Sequence, residues 1–207
     1  DAAIEIALKQ IHQEAGVGSD MRADYRFMTV LFVDVVGFTG LCERMSAKEV
    51  ATMLNSYFDL VVSEIRNQDG LIDKFIGDCV MALFGRVENG AYRAARFGLE
   101  LIKKLEIFNQ QTGYDIQVRI GINSGNVLLG DLGSKHYRRD YTVIGDGVNI
   151  AQRLEQLSPV NSVMISDVTY QLIRELASVE TQDSIRLKGM EGEVTPHILR
   201  SLRPVNL

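Results

Sequence analysis

Two short apolar runs, Leu71 to Ile76 and Cys79 to Phe84, are separated only by Gly77-Asp78. A dipeptide of this kind between such runs joins the strands of a hairpin, so the stretch reads as an antiparallel strand pair with Asp78 at or beside its tip. Helical patterns flank it on both sides. Upstream, Ser46-Ala47-Lys48-Glu49 has the S-x-x-E form of a capping box. Val50, Met53, Leu54, Tyr57, Phe58, Val61 and Ile65 then recur at threes and fours, as far as Asp69-Gly70. Downstream, a second helix is predicted over 91–108.

Beyond these helices lie two more strand patterns. Phe27 to Asp34 is almost wholly apolar and β-branched, as in a strand covered on both faces. Ile116, Val118, Ile120 and Ile122 alternate with Gln117 and Arg119, which places the polar pair on the opposite face. Strand, helix, hairpin, helix, strand is the order of a ferredoxin-like α/β sandwich, an α+β fold with helices on one face of a mostly antiparallel sheet. Further strands are expected over 127–129, 141–144, 163–165, 185–188 and 197–199, and helices over 148–157 and 168–176.

With 207 residues, 46% hydrophobic, 24% charged and three prolines, the chain has the composition of one well-cored domain. A net charge of -5 argues against a nucleic-acid partner, whose phosphates want a basic face. Cys42 and Cys79 are the only cysteines, no apolar run reaches membrane-spanning length, and no secretory signal precedes the fold. A reducing, cytoplasmic location is expected, with any membrane attachment lying upstream. Ile4, Ala7, Leu8, Ile11 and Ala15 have helical spacing, and Gly16 to Asp20 reads as a linker. Residues 1–20 are therefore expected to be a helix and linker from an upstream region, 21–203 the domain, and 204–207 a tail. A chain that starts at Asp1 reads as a piece of a longer protein. Its first helix either couples an upstream sensor or regulatory domain to this one or is a terminal helix docked on it.

Asp34 and Asp78 both stand where an apolar strand gives way to a glycine-bearing turn. Taken singly, each fits an ordinary turn or loop. Together they do not, because the strand order brings the end of the first strand beside the hairpin tip. Two convergent carboxylates are costly without a partner. A divalent metal that also carries substrate phosphates fits such a pair, since Mg²⁺ typically takes one or two protein carboxylates.

The flanks of these residues carry a resemblance. Phe32-Val33-Asp34-Val35-Val36-Gly37-Phe38-Thr39, Lys74-Phe75-Ile76-Gly77-Asp78, Val118 to Gly125 and Val143-Ile144-Gly145-Asp146-Gly147-Val148-Asn149-Ile150-Ala151-Gln152-Arg153-Leu154-Glu155 together resemble the catalytic domain of class III nucleotidyl cyclases. The resemblance covers about residues 27–200. It implies a homodimer with two shared sites and two divalent cations per site, Mg²⁺ with Mn²⁺ able to substitute. Asp34, Asp78 and the carbonyl of Val35 match the metal ligands. Phe38 and Thr39 match the amides that hold the triphosphate, and Arg119 a phosphate-contacting arginine. From the opposite protomer, Asn149 matches the residue that orients the ribose and Arg153 the one that stabilises the transition state. Lys188 matches a lysine that reaches the terminal phosphates. Read without the family, Arg119 is a solvated strand residue, Asn149 a helix cap and Arg153 a surface arginine. Lys135, Arg138 and Arg139 read as a solvated hairpin arm, or one that touches the partner.

The implied reaction is cyclisation of a nucleoside triphosphate, in which the ribose 3′ oxygen attacks the α-phosphorus and pyrophosphate leaves. The base pocket is expected at Lys74 and Thr142. The family's commonest adenine pair is lysine with aspartate, and a threonine at the second position occurs in a bacterial-type adenylyl cyclase subgroup. Lysine only donates, whereas a threonine hydroxyl both donates and accepts, so ATP is favoured over GTP less firmly than an aspartate would favour it. A guanylyl or pyrimidine cyclase is the first alternative, and an inactive, dimerising cyclase-like module the second. No G-x-x-x-x-G-K-[ST] is present, which excludes a phosphate-loop reading.

Overall fold

The computed structural model describes residues 24–85, 88–133, 139–186 and 192–205. In chain order the elements are β1 (Asp24–Val35), α1 (Phe38–Cys42), α2 (Ala47–Asn67), β2 (Leu71–Ile76), β3 (Cys79–Phe84), α3 (Gly90–Thr112), β4 (Val118–Gly133), β5 (Arg139–Ile144), α4 (Asp146–Leu157), β6 (Ser162–Ser166), α5 (Asp167–Ile173), β7 (Ala177–Thr181) and β8 (Pro196–Leu202). The strands form one sheet in the order β2-β3-β1-β4-β6-β8-β7, with β5 paired to β4 off that path. Only the β4–β6 pair is parallel; the sheet is otherwise antiparallel. The expected α+β fold with a mostly antiparallel sheet is the one observed.

β1 is an interior strand, with β3 on one edge and β4 on the other. Its alternation sorts side chains between two faces. Leu31, Val33 and Val35 join Val118, Ile120 and Ile122 of β4 beneath Tyr57, Val61 and Ile65 of α2 and Phe97 and Leu101 of α3. Val30 and Phe32 point the other way, to Met81, Leu83, Val127, Leu129, Val143 and Ala151 of α4. α4 therefore departs from the expectation that the helices share one face. Gly121 explains how it lies so close to the sheet: a Cβ there would stand 2.1 Å from the backbone nitrogen of Glu155 and 2.3 Å from the carbonyl oxygen of Ala151.

The local signals act as their chemistry dictates. Ser46 Oγ accepts from the Glu49 amide at 3.3 Å and Glu49 Oε2 from the Ser46 amide at 2.8 Å, which starts α2. Gly113, at φ 76°, ends α3. Four expectations need correction. The strands expected over 116–122 and 127–129 are one strand, β4, because β1 pairs with it without a break from Val35↔Val118 to Asp24↔Leu129. The polar Asn123 and Ser124 between the two expected strands are satisfied where they stand. Asn123 Nδ2 donates to the Gly147 carbonyl at 2.9 Å, and Ser124 Oγ lies 2.8 Å from Thr29 Oγ1. The helix expected over 168–176 stops at Ile173, and Ala177–Thr181 form an unexpected edge strand on β8. Of the strand expected over 185–188, residues 187 and 188 lie outside the described residues, and at the other two only a bridge between Ile185 and Val194 is formed. The helix expected over 2–15, together with Lys135, Arg138 and Lys188, lies outside the described residues, as does the side chain of Arg139. No helix among the described residues is long and apolar enough to cross a membrane.

Candidate active site

Asp34 is the penultimate residue of β1. Three residues on, Gly37 takes φ 67° and turns the chain into α1, whose first turn holds Phe38 and Thr39. That sign of φ strains any residue with a Cβ, so glycine is the natural occupant. Asp78 sits in the β2–β3 turn beside Gly77, at φ 65°. Because Val33 pairs with Val80 across β1 and β3, the turn lies at the end of β1, and Asp34 and Asp78 stand close enough for each to shift the other's titration. Arg119 stands opposite Asp34 across β1 and β4.

Burial and the neighbouring negative charge of Asp78 push the Asp34 carboxyl up to about 6, against the pull of Arg119. Burial also raises Asp78, which the amide of Val35 and its own amide partly offset. Two carboxylates that crowd each other in this way suit a divalent cation, and the donors are all hard oxygens, as Mg²⁺ and Mn²⁺ prefer. Among the described residues no group of three or more His, Cys, Asp or Glu could hold a metal by itself. The remaining ligands would therefore be backbone, water or substrate oxygens. Arg119 Nε is buried without a hydrogen-bond partner among the described residues, a donor aimed into the same region. The Tyr57 hydroxyl, from beneath the sheet, is likewise buried and without a partner among those residues, and burial together with the surrounding acidic groups holds it well above the usual phenol range.

Glu155 was not legible in the sequence as part of this site. It is buried at 5% exposure on α4, and burial and the charges of Asp34 and Asp78 raise it to about 7. A carboxyl that titrates near 4.5 when unfolded but near 7 when folded binds its proton more tightly in the native state. Its contribution to stability is therefore present below about 4.5 and lost as pH rises through about 7. Glu155→Gln is expected to raise the melting temperature by a few degrees at pH 8 in EDTA and to leave it unchanged at pH 4. Thermal melts at the two values check this, and an equal effect at both would refute it.

A second cluster lies where β5 meets β2. Lys74 Nζ donates to Thr142 Oγ1 at 2.8 Å, and Thr142 Oγ1 donates to Asp73 Oδ2 at 2.9 Å. Lys74 Nζ is also 3.2 Å from Asp73 Oδ2. Thr142 is buried, and the Asp73 side chain is only 3% exposed. Asp73 went unrecognised in the sequence because neighbours along a strand point to opposite faces. Here the register shifts between Ile72 and Lys74, and such a bulge re-aims side chains.

The expected residues thus fall into groups. Asp34, Val35, Asp78 and Arg119 meet at one end of the sheet, and Lys74 and Thr142 meet on another part of it. Asn149 and Arg153 stand exposed on α4, with Arg153 Nη1 donating to Gln156 Oε1 at 2.9 Å. No hydrogen bond or ion pair joins either to Asp34 or Asp78 among the described residues.

Residues 22–201 match the family described as the adenylate and guanylate cyclase catalytic domain. An adenylate cyclase of Anabaena cylindrica is 35% identical over 185 residues, which cover 84% of this chain and 36% of that protein. The chain thus spans about a third of that relative's length. The crystal structure of the adenylyl cyclase CyaB from P. aeruginosa superposes with a TM-score of 0.82 at 32% identity, over 88% of this chain and 97% of that one. The guanylyl cyclase Cya2 superposes with a TM-score of 0.81, also at 32% identity, over 87% and 94% of the two chains.

Proposed function

The chain belongs to the adenylate and guanylate cyclase catalytic domain family, and from that premise we propose that it converts ATP to 3′,5′-cyclic AMP and pyrophosphate at sites shared across a homodimer. The observation that carries the choice of ATP is the Lys74–Thr142 pair, 2.8 Å apart. Adenine presents a bare N1 acceptor beside an N6 amine donor, and the pair offers a donor beside a hydroxyl oxygen. Guanine presents the reverse, an N1–H beside an O6 acceptor, and would set a donor against the lysine.

Asp34, Asp78 and the Val35 carbonyl are the ligands for two divalent cations, Mg²⁺ or Mn²⁺. When bound, these supply acidity to the 3′-hydroxyl and offset the charge of the triphosphate. The amides of Phe38 and Thr39 and the guanidinium of Arg119 gather the phosphates, and Lys188 adds a cation at their far end. Asn149 holds the ribose and Arg153 meets the charge that develops on the α-phosphate. The exposure of the last two on α4 supports their service to a site on the partner. The 3′ oxygen forms a bond to the α-phosphorus as the bond from that phosphorus to the pyrophosphate oxygen breaks. Positioning and preorganised charge supply the rate, with no covalent intermediate.

The length of the relatives supports an upstream regulatory or sensor region. Two free, partly buried cysteines and a nucleotide substrate fit a cytoplasmic site of action. Incubation with ATP, GTP, CTP and UTP under Mg²⁺ or Mn²⁺, with detection of cyclic product and pyrophosphate, tests the reading. Cyclic AMP is the expected main product. A cyclic GMP majority would give the guanylyl reading instead, and no product at high protein concentration would leave an inactive dimerising module.

A further inference from the structure

We infer that Asp73 is a positioning residue for base selection: it takes the proton of the Thr142 hydroxyl and so turns an ambivalent group into an acceptor. The inference rests on the adenylyl reading above and explains how a threonine could enforce it.

A threonine hydroxyl has one proton and two lone pairs. Left free, it would donate to guanine O6 as readily as it would accept from adenine N6, and would select neither base. In this fold the proton is committed to Asp73 Oδ2 at 2.9 Å, and one lone pair to Lys74 Nζ at 2.8 Å. What remains is one lone pair, which can only accept. Lys74 has three N–H donors. One is used on Thr142, a second faces Asp73 at 3.2 Å, and the third remains for a substrate. The cluster as a whole therefore presents one donor and one acceptor, the pattern that adenine N1 and N6 complete and that guanine N1–H and O6 oppose.

Asp73 is suited to this role by its place. Its side chain is buried, so water does not compete for the hydroxyl proton, while Lys74 is 38% exposed and keeps a route to a ligand. The bulge between Ile72 and Lys74 lets adjacent residues reach the same threonine. A carboxylate is acceptor-only at neutral pH and cannot return the proton. An alanine in its place would take away the acceptor and release the hydroxyl to donate elsewhere, whereas an asparagine would keep a carbonyl oxygen able to take the proton.

The test measures kcat/KM for ATP and for GTP in wild type and in Asp73→Ala, with thermal melts of both. The ratio of ATP to GTP is expected to fall about tenfold, the worth of one redirected hydrogen bond. A second substitution, Thr142→Asp in the Asp73→Ala background, is expected to restore the preference, because its carboxylate needs no neighbour to make it an acceptor. Asp73→Leu, which likewise lacks an acceptor, carries the same expectation and stands in should the alanine variant not fold. A role confined to holding the fold would lower both nucleotides together and leave the ratio unmoved. An unchanged ratio in a folded variant overturns the inference and leaves the adenylyl reading intact. A wild-type enzyme with no preference for ATP overturns that reading, and the inference with it.

Discussion

Asp34→Ala and Arg153→Ala proteins are each expected to lose turnover by at least a hundredfold to a thousandfold, the usual loss when one preorganised charge is removed. Mixing them in equal amounts is expected to restore about a quarter of wild-type activity. The quarter follows from symmetry. Random exchange makes half of the dimers mixed, and in a mixed dimer one site combines both lesions while the other has neither. Asp34 lies at the end of β1 with Asp78 and Arg119, whereas Arg153 stands exposed on α4. If both served one site within a protomer, mixing would restore nothing. Absence of recovery, with mixed dimers demonstrated by differently tagged copies, would refute the shared site.

Gly121→Ala is expected to destabilise the domain by about 3 kcal/mol, at the upper end of overpacking costs, and to lower its melting temperature by about 6–12 °C. The added methyl would meet the backbone of Glu155 and Ala151 at 2.1 and 2.3 Å. Neither atom belongs to a side chain that can rotate away, so α4 itself must move off β4. Asn149 and Arg153 would move with it, and cyclase activity should fall further than the melting temperature alone predicts. A melting temperature within a degree or two of wild type would show that the helix can lift without cost.

Features carried by neighbours in sequence were legible in advance. The capping box at Ser46 and Glu49, the hairpin at Gly77-Asp78 and the alternating isoleucines before Gly121 each need only a few adjacent residues, and each appears where it was expected. The convergence of Asp34 and Asp78 was also legible, because strand order alone implies it. Features set by distant partners were not. The strands expected over 116–122 and 127–129 left out Asn123 and Ser124, whose hydrogen-bond partners, Gly147 and Thr29, lie far away along the chain. Ala177–Thr181 has no strong strand pattern of its own and is held by the edge that β8 offers. Glu155 looked like one more polar residue on a helix surface. Its burial follows from the close approach that Gly121 permits. Asp73 was hidden for a related reason, since a bulge is a property of strand register and has no pattern on one strand alone.

The double pairing of β1 also has a bearing on biosynthesis. This strand is near the start of the domain, and one of its two partners begins only at Val118. A nascent chain that has reached Phe84 can close one edge of β1, but the other keeps its row of unpaired amides and carbonyls until β4 leaves the ribosome. For that interval an apolar strand, with Val30 to Val33 among its residues, is a template open to any other chain. The same interior place that seats Asp34 between Asp78 and Arg119 leaves the strand that carries it half-shielded until β4 has been made.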